Sequence, residues 1–324
     1  VQPDGLMTKL MGQNMMRKDG KEHKNERHII FPTVSPKTTR NVWKQKFIDQ
    51  TKEILDNFSD QQEIDLVNEF AKPVSAEALK SITGLTNMTW QEMDRVSQGM
   101  IDGCANYTQN KKVEDNCHNC TASIDFHIQE RLEQDLGSDP SLLSVFASKK
   151  EEFETLSANV KLAISGGQNE PRDAIAGTIA TLLQNPKQLE KLLNGEIDWL
   201  MAFEEYARWM SPIGMSPRRI AKDFSYKDFN FFENDRVFLM FGSANRDEDI
   251  FETPDEFRLD RDVARSISFG AGPHFCAGAW ISKILIAEVA IPMLFEKFPN
   301  IKLLSGVEYF GWAFRGPKPF FVKL

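Results

Sequence analysis

The chain has 324 residues, 41% hydrophobic and 27% charged, which is enough to bury one large core. Its net charge of −8 argues against nucleic acid as a partner, and no apolar run approaches the length of a membrane span. Four cysteines in a chain this long argue against a disulfide scaffold. The start, Val1-Gln2-Pro3-Asp4-Gly5, lacks the basic and apolar regions of a signal peptide, so a cytoplasmic location is the expectation.

No internal repeat, low-complexity tract or Pro/Gly-rich linker divides the sequence, which predicts one domain over residues 1–324. Arg17, Lys18, Lys21, Lys24 and Arg27 form a basic stretch in an acidic protein, with His23 and Arg27 one helical turn apart. Helical patterns then run from Asn41 to about Leu183. Ile64, Leu66, Val67 and Phe70 recur near helical spacing, as do Val160, Ala163 and Ile164. Cys117-His118-Asn119-Cys120, with Cys104 and His127 nearby, has zinc-like ligand spacing. A structural site needs four convergent ligands, and this polar stretch reads better as a surface connection between helices.

Ala163-Ile164-Ser165-Gly166-Gly167-Gln168-Asn169-Glu170-Pro171-Arg172-Asp173 interrupts an otherwise helical stretch with two glycines and a proline. Both residue types are unfavourable in a helix interior, and local rules broken this densely usually mark a functional site. Glu170 lies three and four residues after the glycines, on a similar helix face, so its carboxyl group can relay protons through water. The structural alternative is a carboxylate paired with Arg172 or another cation. Further on, Glu205 and Arg208 stand at i and i+3 on one helix face. Strand-like stretches, Phe229 to Phe231 and Val237 to Met240, are confined to the C-terminal third, predicting a mainly α fold with small β-sheets.

The most informative segment is Phe269-Gly270-Ala271-Gly272-Pro273-His274-Phe275-Cys276-Ala277-Gly278. It presents one cysteine in a glycine-rich turn leading into a helix, where the dipole and unpaired N–H groups stabilise a thiolate. Gly270, Gly272 and Gly278 let the backbone pass close under a flat macrocycle. Near the end, Gly306-Val307-Glu308-Tyr309-Phe310-Gly311-Trp312-Ala313-Phe314-Arg315-Gly316-Pro317 alternates Phe310, Trp312 and Phe314, which predicts one aromatic face on an extended segment. Plain core is the alternative for these rings.

The cysteine segment, the Glu205/Arg208 pair, Ser243-Ala244-Asn245-Arg246-Asp247 and Pro254-Asp255-Glu256-Phe257-Arg258-Leu259-Asp260-Arg261 together resemble the cytochrome P450 family, bacterial soluble type. The resemblance runs from about Met16 to the C-terminus. It implies the cytochrome P450 fold and haem b (iron protoporphyrin IX) with Cys276 as the iron's thiolate ligand. His23, Arg27, Arg219 and His274 resemble the family's propionate partners, with Phe269, Gly270 and Gly278 around the haem. Glu205 and Arg208 resemble its structural lock. Only 22 residues precede His23, earlier than in bacterial members, so an N-terminal helix, most of a β-sheet and part of a substrate-covering loop are expected to be missing.

The helix with Gly166 and Gly167 resembles the one crossing the haem face where oxygen binds. Asn169 falls where the family has an acid, and Glu170-Pro171 where it has threonine, which puts the usual alcohol-assisted proton delivery in doubt. Glu170-Pro171 and the C-terminal aromatic stretch resemble guaiacol-type aromatic O-demethylases of the family. The implied activity is haem-thiolate monooxygenation, an oxidoreductase reaction in which one oxygen atom from O2 enters a small apolar or aromatic substrate. Aromatic O-demethylation is the specific case suggested, in a pocket lined by Ile213, Met215, Trp312 and Phe314. Electrons would come from a ferredoxin or flavodoxin-like carrier with its reductase, steered by the basic stretch around Arg27. A peroxide-driven peroxygenase and a non-catalytic haem-binding protein are the alternatives.

Overall fold

The computed structural model describes residues 10–324; Val1-Gln2-Pro3-Asp4-Gly5 lies outside the described residues. The first two-thirds of that span is helical: α1 (Gly20–Val34), α2 (Lys44–Asp56), α3 (Lys72–Thr83), α4 (Trp90–Cys104), α5 (Lys111–Leu132), α6 (Leu142–Ser148), α7 (Phe153–Gly167), α8 (Asn169–Gln184), α9 (Pro186–Leu193) and α10 (Trp199–Met210). Helix starts carry side-chain caps that take up otherwise orphaned N–H groups. Thr89 Oγ1 accepts from the Glu92 amide, Ser141 Oγ from Ser144 and Asp198 Oδ1 from Leu200. Gly84 ends α3 in the left-handed conformation at φ 87°, and its carbonyl accepts from Arg131 Nε. No helix among the described residues is long and apolar enough to cross a membrane.

Apolar residues collect into two clusters. One holds Trp43, Phe47, Phe70, Ile175, Ile179, Tyr206, Phe295 and Val322; the other holds Met93, Val96, Met100, Ile124, Ile128, Phe146, Val160 and Ile164. Helix α7 therefore belongs to the second cluster with α4, α5 and α6, and α8 to the first with α10, while α3 contributes to both. The interruption at Gln168 (φ −103°, ψ −57°) lies where the chain passes from one core to the other.

The sheets are small. Strand β1 (Glu63–Asp65) pairs antiparallel with β9 (Phe321–Lys323), which also pairs with β6 (Lys302–Leu303). β2 (Ser216–Arg219) pairs with β5 (Arg236–Leu239), β3 (Phe224–Tyr226) with β4 (Phe229–Phe231), and β7 (Tyr309–Phe310) with β8 (Gly316–Pro317). The expected strands near Phe229 and Val237 are present. The expectation of strands only in the C-terminal third is corrected by β1. Ile64 sits opposite Val322, and only Leu66, Val67 and Phe70 continue into a wide-turn helix, Leu66–Ala71.

The Cys117–Cys120 stretch is also corrected. It lies within the 22-residue helix α5 rather than in a connection, with both cysteines buried. Gly99 of α4 lies so close that a Cβ there would meet Cys120 Sγ at 2.3 Å. Burial pushes the thiols up, Cys104 to about 11 and Cys117 to about 12.

Helices α8 and α10 meet over a glycine. A Cβ on Gly177 would sit 1.8 Å from the Oη of fully buried Tyr206. Gly177→Ala should thus destabilise the protein by about 1–3 kcal/mol through overpacking, despite alanine's better helix propensity. Urea unfolding of the variant beside the parent checks this.

Candidate active site

The cysteine loop is anchored from α10 outward. Arg208 donates from Nε and Nη2 to the two oxygens of Glu205 at 2.7 and 2.8 Å, and both side chains are fully buried. The remaining guanidinium hydrogens go to the carbonyls of Asn245 (2.8 Å), Pro254 (2.9 Å) and Glu256 (3.2 Å). Arg261 completes the group by donating Nε to Glu205 Oε1 at 3.2 Å, and the Arg258 amide adds a bond at 2.9 Å. Sequence reading singled out Glu205 and Arg208 but not the role of Arg261, because its partner lies 56 positions away.

From this group the chain is led to the cysteine. Asn245 donates Nδ2 to Ser211 Oγ and Ser268 Oγ, and its Oδ1 accepts from the Ile267 amide at 2.9 Å. Ser268 donates to the Ala207 carbonyl at 2.7 Å. The loop then turns at Gly270 and Gly272, both left-handed at φ 70° and 67°, where an L side chain is strained. Gly278 differs from the expectation: its φ of −85° suits any residue, and an added Cβ would make only ordinary contact with Cys276 Sγ. The helical run Ala279–Ser282 begins directly after it.

Cys276 is reachable by solvent yet closely surrounded by protein. Burial pushes its thiol pKa up. The backbone amides of Gly278 and Ala279 and the charge of Arg27 act in the opposite direction, while Glu170 pushes it further up. The Glu170 carboxyl is thus close enough to act on the Cys276 thiol electrostatically.

Glu170 opens α8. Burial is the main cause that pushes its carboxyl up to about 7, with a further push from Asp173 and an opposing pull from Arg172. Its Oε2 is buried without a hydrogen-bond partner. Arg172 does not pair with it: Nε and Nη2 grip Asp173 at 2.7 and 3.1 Å. Asn169 turns away into α4, where its Oδ1 accepts from Ser97 Oγ at 3.2 Å and its Nδ2 donates to Gln98. Pro171 has no N–H for the Gly167 carbonyl. Ser75 Oγ covers the exposed backbone instead, at 3.4 Å from the Gly167 oxygen and 2.8 Å from that of Gln168. The two glycines part company. Nothing lies within 4 Å of a Cβ built on Gly166, which faces open space, whereas one on Gly167 would meet Leu79 at 2.9 Å. Gly167 thus packs against the Leu79 side chain of α3.

Cations gather at the mouth of the cysteine loop. Arg27 Nη1 donates to the Phe275 carbonyl at 2.8 Å, and the His23 and His274 rings lie 4.1 Å apart. Burial, then the neighbouring His274 and Arg27, push the His23 pKa down. Among the described residues, the carboxylate on His274 is that of solvent-exposed Asp19, at 3.0 Å. Arg219 stands exposed on β2 without an ion pair among the described residues. Phe269 packs edge-on to Phe203 at 6.1 Å. A thiol at the floor, open space before Gly166 and a donor-rich rim fit a flat, doubly anionic macrocycle.

On the side of β2, Ile213 bridges Phe314, and the Gly214 amide donates to the Ala313 carbonyl at 2.9 Å. Met215 is buried; Trp312 is exposed, with its ring 6.1 Å from Phe238. The expected extended aromatic face is corrected. Gly311 turns the chain at φ 90°, where a Cβ would lie 1.7 Å from the Phe314 carbonyl oxygen, so Phe310, Trp312 and Phe314 surround a tight turn.

With this geometry in place, the family profile described as Cytochrome P450 matches residues 199–299, from α10 through the cysteine loop. "Cytochrome P450 107B1" of Saccharopolyspora erythraea is 25% identical over 310 residues, covering 94% of this chain and 74% of the relative. "Polyketide biosynthesis cytochrome P450 PksS" of Bacillus subtilis is 29% identical over 307 residues, covering 93% and 74%. The chain belongs to the cytochrome P450 family. Among solved structures, P450BioI in complex with an acyl carrier protein ligated by hexadec-9Z-enoic acid superposes with a TM-score of 0.89 at 23% identity, over 98% of this chain and 83% of that one. This P450 is accordingly an oxidoreductase with haem b as its cofactor, a haem-thiolate monooxygenase in general terms.

The Glu205 group holds all of this in place. Replacing Glu205 with alanine leaves two buried guanidinium groups without their shared carboxylate, and should cost about 3–5 kcal/mol of stability. Denaturant unfolding of the ligand-free variant measures it.

Proposed function

We propose that this P450 inserts one oxygen atom from O2 into a small apolar or aromatic substrate, with Cys276 as the iron ligand and Glu170 as the proton-bearing group on the opposite wall. The observation that carries the reading is a thiol met by backbone N–H groups at a helix start, together with a carboxyl that has an unpartnered buried oxygen and acts electrostatically on that thiol. When bound, haem supplies the oxygen chemistry, which the protein alone cannot perform. The chain's own residues do the rest. The Gly278 and Ala279 amides direct N–H groups at Cys276 Sγ and favour its charged form. Arg27, His23 and His274 supply donors for the two propionates, with Arg219 as a further candidate on β2.

Glu170 holds a proton inside the cleft, and no threonine stands beside it to share that task. Ile213, Met215, Trp312 and Phe314 would supply the apolar wall of the substrate pocket, and Ile213 and Phe314 are already bridged to each other. Such a wall suits a compact ring, and the Glu170-Pro171 pair supports guaiacol-type aromatic O-demethylation as the specific reaction. A methoxyarene, O2, two electrons and two protons would give a phenol, formaldehyde and water. A peroxide-driven reaction would draw on a free Arg172, but that guanidinium is spent on Asp173.

The two electrons call for a ferredoxin or flavodoxin-like carrier. Of the basic stretch, Lys21 and Lys24 are exposed. Arg17 is partly buried and donates to the Gly12 carbonyl, and Lys18 is paired with Glu26, so neither is a free surface charge. A carrier is thus met by Lys21, Lys24 and the exposed edge of Arg27.

Two measurements test this reading. The reduced, carbon monoxide-bound protein should show the red-shifted Soret band of a thiolate-ligated haem, and Cys276→Ala should abolish it; a retained band removes Cys276 as the ligand. Glu170 carries its proton below about pH 7 and loses it above. Product formed per reduced cofactor should therefore fall as pH rises through 7. In Glu170→Gln it should be lower throughout and without that pH step, with hydrogen peroxide released instead. Equal coupling in both proteins would leave water as the proton source.

A further inference from the structure

We propose that Asp94, reaching from α4 into the α7–α8 break, is a positioning residue for proton delivery: it holds Arg172 off Glu170 and so keeps the Glu170 carboxyl unpaired toward the cleft. This rests on the role of Glu170 given above. Three side chains one helical turn apart on α4, namely Asp94, Ser97 and Gln98, all reach the break. Asp94 Oδ1 accepts from Gln168 Nε2 at 3.1 Å and lies 3.5 Å from Arg172 Nη1, while its Oδ2 lies 3.1 Å from Lys72 Nζ on α3. Three helices are thereby joined at the residue immediately before α8.

Arg172 is consumed on both edges. One edge is bidentate to Asp173, and Nη1 turns to Asp94, Gln98 and the Asn169 oxygen. Its side chain is 6% exposed and that of Asp94 13%, so the pair works in a poorly screened environment. Lys72, Asp94, Arg172 and Asp173 make two cations and two carboxylates, a balanced set that leaves Glu170 out. Glu170 is thus the surplus acid of the cluster. Around it stand Arg172 and Asp173 on its own helix, Cys104 at the end of α4 and Cys276 in the loop opposite. Removing the charge of Asp94 leaves Nη1 only the neutral oxygens of Gln98 and Asn169, with Asp173 still on the other edge. That edge of Arg172 is then drawn toward Glu170, the carboxylate with a free oxygen, and favours its ionised form.

The test uses the haem-loaded protein and follows the infrared band of the protonated Glu170 carboxyl, assigned by its loss in Glu170→Gln. In Asp94→Asn the pH midpoint of that band should move down by about one unit or more, because a negative neighbour is lost and a positive one approaches. Lys72→Met removes the opposing cation, tightens Asp94 on Arg172 and should move the midpoint up. Coupling should fall in Asp94→Asn but not fall further when Asp94→Asn is added to Glu170→Gln. An unmoved midpoint in Asp94→Asn overturns the proposal while leaving Glu170 in place. If Glu170→Gln alone leaves coupling unchanged, the Glu170 reading itself fails. Should Asp94→Asn not retain haem, Lys72→Met decides, and an unchanged or lowered midpoint there counts against Asp94.

Discussion

One buried carboxylate organises the catalytic half of the molecule. Glu205 takes bonds from Arg208, Arg261 and the Arg258 amide, three on Oε1 and one on Oε2, so both oxygens have donors. The cost of burying such ions is met here because Arg208 distributes its remaining hydrogens to three carbonyls of the segment before the cysteine. That segment has little regular structure of its own, and these bonds replace the ladder it lacks. Asn245, itself fixed by its carbonyl, passes the order to Ser268 and Ile267 and so to the start of the cysteine loop. The charge cluster on α10 fixes the start of the loop, and the Cys276 amide closes it by donating to the Phe269 carbonyl at 2.9 Å.

The opposite wall is built by another means. The Gly167 carbonyl, left without a helical donor by Pro171, and the chain at Gln168 are covered by Ser75 from α3 and by the α4 side chains. Polar groups are thus satisfied sideways instead of along the helix axis. That arrangement lets Glu170 stand at a helix start with one oxygen unpartnered, an expensive state that only a rigid surround maintains.

The sequence makes plain those features whose cause is local. The cysteine loop, the Glu205/Arg208 spacing and the anomaly at residues 163–173 each concern residues within a few positions of one another, and the structure has all three. Ile64 shows the limit, since its apolar character serves a helix or a strand equally and the choice is made by Val322. Gly167 and Gly166 look alike in the sequence, and only Leu79 separates their roles. The aromatic alternation at 310–314 carried a period of two, but Gly311 overrode it by turning the chain. Asp94 gave no signal, because its partners come from α3 and from the helix break.

The pairing of β1 with β9 has a kinetic meaning. Its partners lie near opposite ends of the described chain, and β6 joins through the same β9 strand. Closing so long a loop is entropically slow, so local helices will form well before this sheet. Until it closes, Ile64, Val322 and the apolar faces around them remain open to solvent and to other chains. The three-stranded sheet is therefore a late checkpoint of folding, and lesions there should reduce the yield of folded protein out of proportion to their effect on the finished enzyme.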